Sequence, residues 1–245
     1  MREEGIEPSK ALSHMALNHA RLTAPTLPQY MIYTNYYQNI YKFAYYDLGM
    51  VKRTEETRNN PSWDDILQKL RELGTEALQS EYLENVLKKM GLVADLRIMV
   101  NEKLAMIHAK RGLYTHAASL LKEAAELSKS LVRKKELFLQ EGIYHISAFE
   151  YAFAQYAFEK AVEAAPQTDK EKLKRQVKEN FIKAAEGLEK ERKISRAAEL
   201  YDWIIRKSDK TENLSEVKMK LSVLYEKLGK IQESISLRNQ VRAGN

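Results

Sequence analysis

The residue types that could carry chemistry are few in this chain. Cysteine is absent, which excludes thiolate nucleophiles, disulfides and thiolate metal sites. Five histidines remain as candidate metal ligands or general bases. His14 and His19 are five apart, a poor spacing for two ligands on one helix face. His116 stands beside Ala117 and reads as a turn or surface residue. His108 and His145 stand 37 apart, at matching places of an internal repeat described below. Packing between two helices explains both. No Gly-rich phosphate loop, paired-histidine zinc helix, nucleophile elbow or kinase signature is present. Carboxylates are abundant, but no pair stands out from ordinary helix surfaces. The expectation is therefore a protein without a catalytic centre, metal or cofactor.

The elements that would position functional side chains are helices. Glycine (9) and proline (5) are scarce in 245 residues, and 44% of the chain is hydrophobic. That supports a core and long helices, and it argues against sandwiches and barrels. Pro8, Pro25, Pro28 and Pro61 all lie in the first 61 residues, with only Pro166 beyond. Proline breaks helix interiors, so residues 1–60 and 61–245 read as two regions. No run of 18 apolar residues suggests a membrane span, and no apolar stretch follows Met1. With no cysteine as well, a cytoplasmic location is expected.

Within residues 61–245 the sequence repeats. Four segments align, each a helix, a short turn and a second helix. They begin near Asn101, Phe138, Phe181 and Lys218. Ala105 and Ala117, Gly142 and Ala154, Ala185 and Ala197, and Ser222 and Ser234 are all twelve apart. Small residues at that spacing let two antiparallel helices approach closely. Leu121, Phe158 and Tyr201 then fill the space above them. Arg238 stands where the last repeat should carry such a filler, as suits a polar terminal repeat. Gly112, Phe149, Arg192 and Gly229 share one place, at the turn. A degenerate fifth unit precedes these, through Trp63, Leu70, Gly74 and Val86, with Gln79 where a small residue belongs. Ser62 with Asp65, and Thr168 with Glu171, read as helix-capping boxes.

The pattern resembles the tetratricopeptide repeat (TPR) family, most closely from Phe138 to Pro166. Repeat spacings of 37, 43 and 37 residues exceed the family's usual 34, leaving room for longer, SNAP-like hairpins. The resemblance implies an all-α fold. Its form would be a right-handed α-solenoid of four to five antiparallel hairpins over 61–245, with residues 1–60 as an N-terminal helical cap. It also implies a non-enzymatic scaffold or adaptor that holds a partner segment in a concave groove lined by first helices. Mapped here, that lining is Glu102, Met106, Leu139, Ile143, Ile146, Ile182, Glu186, Met219 and Val223. The centre is apolar and the flanks acidic, so a protein or peptide partner with an apolar, partly basic segment fits. Family members that hold a chaperone's C-terminal carboxylate use Lys, Asn and Arg there. Glu102 and Met106 do not supply that clamp. The alternative for Leu139, Ile143 and Ile146 is burial as core under a further helix.

Two features stand outside the repeat. Seven of the 14 tyrosines lie between Tyr30 and Tyr46. This segment reads as a buried cap for the helical stack. The alternative is a second contact surface through Tyr33, Tyr36, Tyr37 and Tyr41. Only Lys42 lies between Tyr30 and Gly49, too little charge to hold a nucleic-acid strand. The net charge is +6. Its basic excess falls in residues 131–245, around Arg133-Lys134-Lys135 and Lys170 to Lys178. The second functional reading is therefore RNA or acidic-membrane binding through that excess.

Overall fold

Each of the four repeats closes its hairpin with the same backbone device, which sets the register of everything else. The computed structural model describes residues 61–89, 91–208 and 213–243. Among the described residues there are ten α-helices, one 3-10 turn and no strand. The helices are α1 (Trp63–Glu72), α2 (Glu76–Leu87), α3 (Ala94–Lys110), α4 (Tyr114–Leu127) and α5 (Leu131–Ser147). They continue with α6 (Tyr151–Ala164), α7 (Lys170–Lys190), α8 (Ile194–Lys207), α9 (Ser215–Lys227) and α10 (Ile231–Ala243). Apart from Lys110–Gly112, these described residues fall in one compact unit.

The closing device is a Schellman turn. An amide donates to the carbonyl five residues back in every repeat: Leu113 to His108, Glu150 to His145, Lys193 to Leu188 and Lys230 to Tyr225. The residue before each donor has a left-handed backbone: Gly112 (φ 76°), Phe149 (φ 62°), Arg192 (φ 59°) and Gly229 (φ 75°). These are the four positions that the repeat aligned. Glycine meets the requirement freely, whereas Phe149 and Arg192 hold it against their own Cβ. The donor then opens the second helix as its N-cap, so turn and cap are one residue. The α1–α2 turn differs. Gly74 lies there without a left-handed backbone, and the Gln79 side chain donates to the carbonyls of Leu70 (2.9 Å) and Leu73 (3.1 Å). Gln79 thus satisfies the end of α1, which explains why a polar residue replaces a small one.

Small residues do what their spacing implied. Ala105, Ala117, Ala154, Ala185, Ala197, Ser222 and Ser234 are buried. At Gly142 an added Cβ would lie 2.5–2.7 Å from the ring of Phe158. Phe158 is 1% exposed and meets Phe181 edge-on, with ring centres 5.4 Å apart. Phe181 in turn meets Trp203 at 4.7 Å. Aromatic rings therefore link the second hairpin to the third, where apolar burial does most of the stabilising. In the last hairpin Arg238 bonds Glu226 at 2.8 Å and reaches the Ser222 hydroxyl at 3.4 Å. A polar pair replaces the filler ring there.

The longer 43-residue spacing is now located. Compared with the step from α4 to α5, two of the extra residues enter the α6–α7 linker and four lengthen α7. The Ser62–Asp65 capping box forms, with both reciprocal bonds present. The expected Thr168–Glu171 box does not. Pro166 is extended and leads into a 3-10 turn, Gln167–Asp169, so Asp169 becomes the N-cap of α7 without a side-chain cap bond. The Thr168 hydroxyl turns to the neighbouring Asp169 carboxylate instead (3.2 Å).

Candidate functional site

The first helices of successive repeats, α3, α5, α7 and α9, carry the residues expected to line a groove. Two ion pairs join these helices directly. Arg133 on α5 bonds Glu102 on α3, and Lys220 on α9 bonds Glu186 on α7 at 2.7 Å. Burial pushes the Glu102 carboxyl up, while the Arg133 guanidinium opposes that rise. Lys220 is raised by its hydrogen bond to Glu186, against burial, with Glu216 adding to the effect at 3.0 Å. Sequence reasoning assigned Glu102 and Glu186 to acidic flanks and missed both cations. Arg133 and Lys220 follow their partners by 31 and 34 residues, close to one repeat, but that spacing alone does not select them among the many charged residues.

Exposure divides the expected lining. Met219 and Val223, one turn apart on α9, are each 41% exposed and form an apolar strip beside the Glu186–Lys220 pair. Met106, Leu139, Ile143 and Ile182 are half-buried, and the last three pack against the core of the second to fourth repeats. Ile146 is core. It is 7% exposed near the end of α5, so its side chain is no part of an accessible lining. Tyr33, Tyr36, Tyr37 and Tyr41 lie outside the described residues, as do His14, His19 and the N-terminal cap.

One concavity was not foreseen. An open cleft of about 510 Å³ lies between α6, α7 and α8, floored by Phe158, Phe181, Trp203 and Ile204 and rimmed by Glu159 and Lys174. α6 meets α7 more loosely than α4 meets α5 or α8 meets α9. The cleft therefore sits where the longer spacing fell. That spacing was the one sequence signal that could have located it.

Part of the basic charge is engaged in ion pairs with neighbouring acids. Arg97 pairs with Glu123, Lys160 with Glu163, Lys174 with Glu171, Arg196 with Glu199 and Arg206 with Asp202. Such interleaved pairs leave little uniform field for a polyanion. Among the described residues no helix is long and apolar enough to cross a membrane. None of their His, Asp or Glu side chains gather in a group of three or more that could hold a metal ion. His116 is exposed. His108 lies 3.9 Å from Glu84, and His145 sits between Glu141 and Glu150.

No family model matches the chain, and no curated protein matches it. Solved structures do. The crystal structure of MamA is similar at TM-score 0.35 and 18% identity, over 75% of this chain and 94% of that one. The crystal structure of BtubC (BKLC) from P. vanneervenii is similar at TM-score 0.38 and 14% identity, over 84% of this chain and 87% of that one. No family is assigned on these likenesses.

Proposed function

We propose that this chain is a non-enzymatic interaction scaffold of TPR-like hairpins, stacked as a right-handed solenoid, which holds a partner protein against its first helices. The observation that carries this reading is the exposed Met219–Val223 strip beside a neutralised ion pair. Two exposed apolar side chains one turn apart on a first helix offer an anchor for an apolar partner segment. Support also comes from the repeated turn, which gives the four hairpins from α3 to α10 one register and so can place their first helices side by side. Because Glu102 and Glu186 already have intrachain cations, the partner's contribution is chiefly apolar. The basic character expected from those two acids has no unengaged counterpart at either position. A cytoplasmic location accords with the absence of cysteine.

Affinity capture with the wild type, Val223→Glu and Ile143→Glu tests this. Val223→Glu places a charge on exposed surface and leaves the core intact. Loss of the captured proteins with this variant supports the reading. Equal capture by wild type and Val223→Glu refutes the assignment of the docking face.

A further inference from the structure

The α5–α6 turn contains buried charge for which the repeat has no structural need. In a Schellman turn the residues five apart meet, commonly through apolar side chains. In the second repeat that pair is His145 and Glu150, with imidazole Nδ1 2.7 Å from Oε2. Lys230 over the Tyr225 ring occupies the matching place in the fourth repeat (5.3 Å). A second carboxyl, Glu141, lies one helical turn back and 3.7 Å from His145 Nε2. Glu141 is 3% exposed, and its Oε2 has no hydrogen-bond partner. The other repeats carry Leu104, Ala184 and Leu221 at this position. A buried carboxylate is more costly than any of these unless a cation accompanies it.

The groups facing His145 are few. Its own helix supplies Glu141, and the turn supplies Glu150. From α6 the Phe153 ring stacks on the imidazole at 5.5 Å. From α4 the Thr115 hydroxyl donates to the other Glu150 oxygen at 3.1 Å. The charges acting on the imidazole are those of Glu141 and Glu150. The same turn touches the next hairpin as well, through the Arg196 guanidinium over the Phe149 ring at 4.6 Å.

We propose that His145 is a proton-dependent latch: as an imidazolium it bridges Glu141 and Glu150, closing the α5–α6 turn and, through Thr115, tying it to the preceding hairpin. Loss of the proton leaves two carboxylates facing a neutral ring, one of them buried, and the joint loosens. The direction of titration agrees. Burial alone would lower the imidazole, but the hydrogen bonds and charges of Glu141 and Glu150 outweigh it and hold it above 6.5. A group raised on folding contributes stability that is full below its unfolded value and is lost as pH rises through its folded value. The latch is therefore closed below pH 6.5 and opens on the alkaline side.

The test uses the full chain. Imidazole NMR follows His145, assigned by comparison with His145→Gln, while thermal unfolding is recorded from about pH 5.5 to 9. The expected result is a His145 titration above 6.5. The wild-type Tm should fall through that titration by about 2–5 °C for each unit of elevation, relative to Glu141→Leu. Glu141→Leu installs the residue of the first and fourth repeats, so it should fold, titrate lower and show a flatter pH dependence. Glu150→Gln should flatten it too. A His145 titration at or below 6.5, or equal slopes for wild type and Glu141→Leu, overturns the proposal.

Discussion

In the α5–α6 hairpin Gly142 admits the Phe158 ring against its backbone, while in α9–α10 Ser222 holds the same place and Arg238 lies over it. The first turn puts Phe149 in a left-handed backbone, and the second uses Gly229. Both turns make the same amide-to-carbonyl bond across five residues. The backbone of the repeat is thus conserved through very different side chains. What differs is where the stabilising free energy sits. In the second repeat it lies in an interdigitated aromatic core. In the fourth, α9 still buries Val217, Leu221 and Leu224 in the shared core, but the filler position carries a polar contact near water, worth little. Interior repeats can spend side chains on packing against both neighbours. The last described hairpin has only Ser234 of α10 buried and exposes Ile231 and Ile235.

The largest contrast is in the fillers. Phe158→Ala should lose about 3–5 kcal/mol in denaturant unfolding, through lost transfer energy and a cavity against Phe181. Arg238→Ala should lose less than about 1 kcal/mol, because it removes a solvent-screened pair. Comparable losses would erase the distinction between the two hairpins. Next, Gly142→Ala should cost about 1–3 kcal/mol, since the new methyl would lie 2.5–2.7 Å from a ring packed edge-on against Phe181. The matched Ser222→Ala, read by the same unfolding curves, removes the hydroxyl's bond to the Met219 carbonyl (2.8 Å) and its long contact with Arg238 (3.4 Å) and should cost about 0.5–1.5 kcal/mol, with no overlap to relieve.

The turns give a contrast of opposite sign. Arg192 is exposed with φ 59°, so Arg192→Gly should raise stability by about 0.5–1 kcal/mol. Gly229→Ala imposes the strain that Arg192 now carries and should cost about 1 kcal/mol. If Arg192→Gly destabilises, its side chain has a role that the turn geometry does not contain. Smallest is the Glu186–Lys220 pair. A double-mutant cycle to Gln and Ala should return a coupling of about 0.2–1 kcal/mol, shrinking with added salt.

Helix content, the hairpins and the small-residue spacing were legible because a close helix–helix contact forces a residue type at a fixed interval. The turn was legible in position, through Gly112 and Gly229. Its left-handed demand on Phe149 and Arg192 was not, since neither residue type announces it. Ion pairs such as Arg133–Glu102 were hidden because charged residues occur on every helix face, and only the three-dimensional register selects partners. Glu141 could have been noticed as the one charged residue at a position held elsewhere by Leu or Ala. The expected lining was legible only as a helix face. Which of its residues are exposed depends on how the hairpins turn against one another, and that moved Ile146 inward and left Met219 and Val223 outside.

The most direct measurement is quantitative capture by three matched proteins: the wild type, Val223→Glu on a first helix, and Tyr156→Glu on an exposed face of a second helix. Circular dichroism would establish that all three fold alike. Docking on the first helices predicts that Val223→Glu loses the bound partner at least tenfold, a change of about 1.4 kcal/mol, while Tyr156→Glu retains it. Equal capture by all three, or loss confined to Tyr156→Glu, would contradict it.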